Sequence, residues 1–310
     1  MVRYVAKKFL YMLLSLFILI SATFFLMKAI PGDPFMSEKK VPPEIQARLM
    51  EQYGLDKPVY EQYFKYLGGI AKGDFGISMK HQNQEVTDII LETFSASLKL
   101  GLCAIVISVI VGILLGMLAA LYHRKLIDNV AMVLAVLGIA VPSFVLASLI
   151  QFIFAEKLGW FNVMGFDGPL DYVLPVAALS AQPIAFIARL TRSNMLEVLH
   201  ADYIKTAKAK GLNWVTIMFR HVIRNGILPV VTYVGPMTAN IITGSVVIEQ
   251  IFGIGGIGKV FVDCITNRDY TMIMGVTIFY GILLMLARFF TDIVYVLVDP
   301  RIKLTGGKEG

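Results

Sequence analysis

Six long apolar segments alternate with polar stretches along the chain, at approximately residues 9–30, 98–122, 129–154, 173–196, 227–248 and 271–298. Each has roughly the 20 residues that a helix needs to cross the hydrocarbon core of a bilayer. Lipid offers no partners to backbone N–H and C=O groups, so each of these segments must be helical. The pattern predicts an all-α polytopic membrane protein with six transmembrane helices and a small outer loop region between the first two.

The composition agrees with this class of protein. Of the 310 residues, 57% are hydrophobic and 16% are charged, and the mean hydropathy is +0.71. A soluble domain of this length would carry about a quarter charged residues. The formal net charge is +6. Because this basic excess lies in short loops between apolar segments, it indicates membrane orientation and contact with lipid rather than binding of nucleic acid.

The Lys and Arg residues of the short polar segments concentrate on one predicted side. The positive-inside rule makes that side cytoplasmic, so both termini are predicted to lie in the cytoplasm. The opposite short loops carry only Lys157, Lys259 and Arg268, and the long loop 31–97 is largely exempt from the rule. The basic residues predicted inside are Arg3, Lys7, Lys8, Arg124, Lys125, Arg189, Arg192, Lys205, Lys208, Lys210, Arg220, Arg224, Arg301, Lys303 and Lys308.

The first outer loop, residues 31–97, is predicted to form a small region of its own. It opens with the turn-forming run Pro31–Pro34. A short helix follows the Pro42–Pro43 pair and ends at Gly54, and a second runs from Pro58 to Leu67 with Tyr60, Phe64 and Leu67 aligned on one face. Two interpretations stay open: an outer cap over the helices, or a contact surface for an external delivery protein.

The polar stretch from Asp202 to Pro229 separates two strongly apolar segments and is the candidate for contact with a cytoplasmic partner. Asp202 is predicted to cap a short helix that ends at Gly211, and Asn213 to cap a second one. Small residues leave the first helix with little side-chain bulk, which suits a helix that lies in a partner's groove. Periodicity alone favours the other interpretation, a basic loop that meets anionic lipid head groups.

The same stretch carries a resemblance to a known family. Tyr203 to Leu212, followed by Ile227-Leu228-Pro229, resembles the EAA loop of ABC importer permeases, with Lys205-Thr206-Ala207 at the triplet, as is common in the peptide-permease branch. Further stretches resemble that branch in the same order along nearly the whole chain. They are Pro31-Gly-Asp-Pro34, Pro42-Pro-Glu44, Tyr53-Gly-Leu55, Gly73-Asp-Phe-Gly76, Val141-Pro-Ser-Phe144, Glu249-x-x-Phe252-Gly253, Arg268-Asp-Tyr270 and Asp299-Pro-Arg301.

The resemblance implies a type I ABC importer permease, similar to the first permease subunit of bacterial oligopeptide importers. It also implies a second homologous permease subunit, two cytoplasmic ATP-binding cassette subunits that hydrolyse ATP, and an extracytoplasmic peptide-binding protein, in a prokaryotic plasma (inner) membrane. Dipeptides, nickel, or ATP-independent secondary transport remain alternatives. The resemblance implies an ATPase-docking coupling helix with Tyr203, Thr206, Ala207, Lys210, Gly211, Leu212 and Pro229.

Two further candidate sites lie in the last third of the chain. The turn at the end of the fifth span, with Glu249, Phe252 and Gly253, is a candidate outer gate, and Arg288 and Asp292, four residues apart on the sixth span, are a candidate intramembrane ion pair. Gly253 to Lys259 imitates a phosphate-binding loop but lacks the hydroxyl that such a loop needs after its Lys. The sequence offers no catalytic constellation, so we expect a transport subunit without enzymatic activity, cofactor or resident metal.

The domain organisation expected from these features has four parts. A transmembrane helix occupies residues 1–30, the extracytoplasmic loop region residues 31–97, and a five-helix permease core residues 98–300, with a cytoplasmic coupling loop at 197–226. A cytoplasmic tail covers residues 301–310.

Overall fold

A computed structural model describes residues 2–30, 43–81, 84–166, 168–242 and 246–298. The chain forms two compact units. The first consists of two segments, one up to Ser97 and one from Gly255 onward, and the second runs from Leu98 to Ile254. The predicted turn at Pro31–Pro34 and the predicted tail from residue 301 lie outside the described residues.

The first unit contains the helices at both ends of the chain. Before the second unit it has α1 (Val2–Ala29), α2 (Pro43–Tyr53), α3 (Val59–Ile70) and the first turns of α4 (Val86–Leu121). After the second unit it has α13 (Ile257–Thr266) and α14 (Tyr270–Val298). Helix α1 packs along α14, and a buried cluster that includes Ile20, Val86, Ile90 and Ile278 forms the core of the unit.

The second unit contains the remainder of α4 and the middle helices. They are α5 (Leu126–Ala140), α6 (Ser143–Ile150), a π-helix (Gln151–Lys157), a short 3₁₀ helix (Pro169–Tyr172), α7 (Val173–His200), α8 (Asp202–Ala209), α9 (Trp214–Ile217), a second π-helix (Met218–Ile223), α10 (Arg224–Gly226), α11 (Leu228–Ile242) and α12 (Val246–Phe252). Helix α7 is central, since α5, α6, α8, α10, α11 and α12 all pack against it.

The prediction of an all-helical membrane protein is confirmed, with one refinement. Four helical stretches are long and apolar enough to cross a membrane: Tyr4–Ala29, Val86–Leu121, Pro169–His200 and Tyr270–Ile293. The predicted third and fifth spans each consist of two helical pieces, α5 with the Ser143–Lys157 stretch, bent by 107°, and α11 with α12, bent by 53°. The described helices thus allow up to six spans, and the helix that contains the second predicted span begins at Val86, ahead of the apolar segment that starts near residue 98.

Proline explains the sharper of these breaks. Val141, just before Pro142, is extended with φ −82° and ψ 122°, the conformation that the ring of a following proline favours. Proline does not interrupt the other helices in the same way, since α7 continues through Pro183 and α11 through Pro236.

Glycine sets the close approach of two helices in the second unit. Gly112 and Gly116 form a GxxxG pair, a pattern typical of closely packed membrane helices. A Cβ added at Gly112 would lie 2.7 Å from the Cβ of Ile187, and one at Gly116 would lie 2.5 Å from the carbonyl oxygen of Ala188. Helix α4 therefore touches α7 almost backbone to backbone.

A buried carboxylate, that of Asp269, connects two separate segments of the first unit. Asp269 is 1% exposed and precedes α14, where it accepts a hydrogen bond from the N–H of Met272 at 3.1 Å, as an N-cap does. It also accepts hydrogen bonds from the Ser78 hydroxyl and from the N–H groups of Met79 and Lys80. Asp269 thus joins the loop after α3 to the start of α14.

Candidate docking site

The candidate docking loop begins where α7 ends. Ala201 is extended (φ −66°, ψ 147°), and α8 starts at the next residue. The predicted capping role of Asp202 is wrong, because Ala201 occupies the cap position and Asp202 is the first helical residue. The Asp202 carboxylate instead accepts a hydrogen bond from Lys205 at 2.9 Å, and a negative charge in this first turn still favours the helix dipole.

The C-terminal end of α8 is the one that the sequence predicts. Gly211 has φ +75°, a conformation that side chains with a Cβ rarely adopt. Its N–H donates to the carbonyl of Lys208 at 3.0 Å, and the N–H of Leu212 donates to the carbonyl of Ala207 at 3.3 Å. This pair of bonds is a Schellman motif, which satisfies the last carbonyl groups of the helix.

The second short helix also starts as predicted. The side chain of Asn213 accepts a hydrogen bond from the N–H of Thr216 at 2.7 Å and so caps α9. The ammonium of Lys208 lies 5.6 Å from the centre of the Trp214 ring, a cation–π contact between the two short helices.

One face of α8 is buried within this chain. Ile204 and Ala207 are 0% and 5% exposed and pack in a cluster with Met195, Ile217 and Val222. Ala207 was expected on the docking face, and the structure corrects this placement: its methyl group points into the protein and cannot touch a partner. The small residue at this position lets α8 lie close to α7 and α9.

The other face of α8 is open to solvent. Tyr203, Thr206, Lys210, Gly211 and Leu212 are all exposed, as are Lys205 and Lys208. Pro229, the remaining predicted docking residue, is half-buried near the start of α11. The exposed face is compact and carries three lysines, so it can present a positively charged surface to a partner.

An ion-paired cluster that sequence reasoning missed lies in the same unit. Asp128, 2% exposed in the first turn of α5, accepts two hydrogen bonds from Arg192 of α7, at 2.5 Å from Nε and 2.8 Å from Nη2. The Asp128 carboxylate also accepts a hydrogen bond from the backbone N–H of Arg124 at 2.9 Å, and Nδ1 of His123 lies 3.1 Å from it. An acid at the start of one apolar span and an arginine near the end of another were the available sequence signals.

The candidate outer gate is a well-packed helix end. Gly253 has φ +66° and follows the last residue of α12. Its N–H donates a hydrogen bond to the carbonyl of Gln250, and the N–H of Ile254 donates one to the carbonyl of Glu249. Phe252 is 2% exposed and Glu249 is fully buried. The Glu249 side chain therefore lies inside the second unit.

The candidate intramembrane pair is also corrected. Asp292 forms its ion pair with Lys8 of α1, at 2.6 Å, and not with Arg288. The Arg288 side chain is exposed. Because α1 and α14 run side by side, a residue far away in sequence reaches Asp292 better than one a single turn away.

Two curated relatives match nearly the full length of the chain. The oligopeptide transport system permease protein OppB of Haemophilus influenzae is 44% identical over 305 residues, covering 98% of this chain and 100% of the relative. The dipeptide transport system permease protein DppB of Bacillus subtilis is 47% identical over 304 residues, covering 98% and 99%.

The fold has a known counterpart as well. The structure matches a chain of an amino acid ABC transporter solved with histidines, with a TM-score of 0.54 at 17% identity, over 67% of this chain and 94% of that one. At this identity the likeness concerns the fold alone.

Two family models together cover almost the whole chain. Residues 1–101 match the N-terminal part, and residues 112–304 match the main part, of the binding-protein-dependent transport system inner membrane component. With the spans and the full-length relatives, this makes the chain a multi-pass inner membrane protein and a transport subunit rather than an enzyme. The chain belongs to the family of binding-protein-dependent transport system inner membrane components, the permease subunits of ABC importers.

Proposed function

We propose that this chain is a permease subunit that carries peptides across the inner membrane in an ATP-driven importer. The names of its relatives support peptides as the cargo, since one is an oligopeptide permease protein and another a dipeptide permease protein. An extracytoplasmic binding protein delivers the peptide, a second homologous permease completes the pathway, and two ATP-binding cassette subunits hydrolyse ATP in the cytoplasm. Oligopeptides and dipeptides are both candidates.

The observation that carries the proposal is that α8 exposes one face to solvent while its other face is packed against the rest of the second unit. Tyr203, Thr206, Lys210, Gly211 and Leu212 are accessible, whereas the opposite face is buried against α7 and α9. A short exposed helix of this kind fits a groove of a partner protein, the helix-in-groove mode. We assign these five residues to docking on the ATPase subunits. We assign Ala207 to the buried face that packs α8 against α7 and α9.

The contacts of α7 support transmission of force from α8 into the spans. Helix α8 follows α7 directly and shares a buried cluster with it. Helix α7 in turn touches α4 at Gly112 and Gly116 and holds α5 through the Arg192–Asp128 pair. Closure of the ATPases would therefore move α4, α5 and α7 together rather than bend a loose loop.

A matched pair of substitutions tests the docking role. Thr206 and Thr266 are both exposed threonines in short helices, and each hydroxyl donates to the carbonyl four residues earlier, at 3.1 Å and 3.0 Å. Thr206→Trp is expected to abolish co-purification of the ATPase subunits, because the bulky ring fills the docking face. Thr266→Trp should leave it unchanged. Equal co-purification of both variants would contradict the assignment.

Transport itself is tested in proteoliposomes. The complete complex with its binding protein is expected to accumulate labelled peptide only when ATP is supplied to the ATPase side. Parallel measurements with a labelled dipeptide and a labelled pentapeptide separate the two cargo classes. Uptake driven by a proton or sodium gradient without ATPase subunits would instead support an ATP-independent secondary transporter.

A further inference from the structure

Helix α3 carries an exposed pair of aromatic side chains. Tyr60 and Phe64 are one turn apart and are 63% and 67% exposed. Their neighbours on the adjoining part of the surface, Glu61 and Lys65, are exposed as well. The outward surface of α3 is thus divided into an aromatic stripe and a charged stripe, while Tyr63 and Tyr66 turn toward the rest of the unit.

The opposite side of α3 is fastened to the last turns of α1. The hydroxyls of Ser21 and Tyr63 share a hydrogen bond at 2.6 Å, and Lys28 donates to the side chain of Gln62. The Tyr63 ring also lies 5.3 Å from the ring of Phe24. Because the span of α1 ends at Ala29, these contacts place α3 at the level where that span leaves the hydrocarbon core.

The aromatic stripe is continuous with an exposed apolar surface on the last turns of α1. Phe25 and Leu26 near the end of the span are 51% and 67% exposed, as expected for side chains that meet acyl chains. The Phe25 ring lies 5.2 Å from that of Tyr63, which lies 5.7 Å from that of Phe64. An unbroken row of rings therefore leads from the span onto the exposed face of α3.

We infer that α3 is an interfacial helix that lies in the headgroup layer at the Ala29 end of α1, with Tyr60 and Phe64 inserted among the lipids. Aromatic rings are enriched at this depth, where their apolar bodies meet acyl chains and polar edges meet water. An amphipathic helix with a separate charged stripe lies in the plane of the interface in the same way. Glu61 and Lys65 then face the water. Lipid is the occupant that the continuity with α1 favours, rather than a delivery protein.

The anchorage has a consequence for a cavity in the same unit. A cavity of about 410 Å³ lies between α3 and the loops around it, with Lys28, Gln62, Lys65 and Tyr66 in its wall. Two of these residues, Lys28 and Gln62, also join α3 to α1. An α3 held by lipid fixes one wall of this cavity relative to the bilayer.

Tryptophan fluorescence in reconstituted protein tests the inference. The native Trp160 and Trp214 are replaced by Phe, and a single Trp is introduced at Phe64→Trp, at the matched neighbour Glu61→Trp, or at Leu26→Trp on the span. The protein is placed in vesicles of phosphatidylcholine with and without bromine on the acyl chains. We expect emission from position 64 to be blue-shifted and quenched by brominated lipid at least about twofold more than emission from position 61.

The controls make each outcome decisive. Leu26→Trp must be quenched, which shows that the chain is inserted, and Tyr60→Trp replaces the variant at position 64 if that one fails to fold. Equal quenching at positions 61 and 64, with strong quenching at position 26, would overturn the inference. Protection of position 64 from aqueous iodide only after a binding protein is added would overturn it too, in favour of a protein-docking surface.

Discussion

Asp269 shows how much one buried carboxylate contributes to this fold. Its oxygens accept hydrogen bonds from a hydroxyl and three backbone N–H groups that come from two separate parts of the chain. Charge-assisted hydrogen bonds of this kind are stronger than neutral ones, and buried donors that lose their partner carry the full cost of desolvation. Asp269 therefore acts as a structural joint between the loop after α3 and the start of α14.

Asp269→Ala is expected to destabilise the first unit by about 3 kcal/mol, because it removes the cap of α14 and leaves several donors without their acceptor. Thermal unfolding of the purified protein in detergent measures the loss. Asp263→Ala removes an exposed acid from the neighbouring α13 and serves as the control. Similar melting temperatures for the two variants would show that Asp269 is not the joint described here.

The buried thiol of Cys264, close to Asp269, makes the stability of the first unit depend on pH. The thiol is buried in α13, outside the spans, and burial together with the charge of Asp269 raises its pKa from 9.0 to about 12. Since the folded state holds the proton more tightly than the unfolded state, this contribution to stability is complete below pH 9 and is lost as the pH rises toward 12.

We expect a maleimide at pH 8 to spare the buried Cys264 until the protein unfolds. We also expect Cys264→Ala to reduce the loss of stability between pH 9 and 10.5. Mass spectrometry of the labelled peptides and melting curves across this range provide the two measurements. Rapid labelling of Cys264 in the folded protein would contradict the placement of its thiol.

At the scale of elements, glycine decides how closely α4 and α7 approach. Gly116→Ala places a methyl group where the carbonyl oxygen of Ala188 lies, so we expect a loss of about 1–3 kcal/mol from overpacking. Gly68→Ala in α3 is the matched control, since a Cβ there meets nothing within 4 Å. That change is expected to stabilise the protein by up to about 1 kcal/mol through helix propensity.

Melting temperatures of the two variants, measured under the same conditions, should move in opposite directions. If Gly116→Ala were as stable as the unchanged protein, α4 and α7 would have room that the described contact excludes. The same variant should also insert normally into the membrane, because it keeps the length of the span and makes the span slightly more apolar.

Local rules explain which elements the sequence predicts well. The ends of α8 and α9 follow from Gly211 and Asn213, since a left-handed glycine and a capping amide act on groups two or three residues away. The break at Pro142 follows equally from its effect on Val141. These predictions need no knowledge of what the element packs against.

Tertiary contacts explain the failures. Ala207 and Asp292 were placed by their position in a helix, but the residues around them come from α9 and from α1. A single sequence gives the face of a helix on which a residue lies. It does not give which face turns inward when both faces carry small or polar residues.

At the scale of the whole molecule, the distribution of charge makes a prediction about sidedness. Lys205 and Lys208 on α8 and Lys210 just after it are exposed, and the positive-inside rule predicts that this surface lies in the cytoplasm. Lys72 follows α3 and is exposed on the loop region that is predicted to lie outside. The docking proposal requires the first of these placements, because ATP is available only in the cytoplasm.

Single cysteines test this sidedness directly in a background with Cys103→Ser. The permease is produced without its ATPase subunits, so that nothing covers α8. A membrane-impermeant maleimide added to intact cells is then expected to label Lys72→Cys and to leave Lys210→Cys unmodified, and permeabilised membranes should allow labelling of both. The buried Cys264 provides an internal reference that stays unlabelled in either condition. Labelling of Lys210→Cys in intact cells would place α8 on the outer side, where no cytoplasmic ATPase could reach it, and the proposed coupling would have to be abandoned.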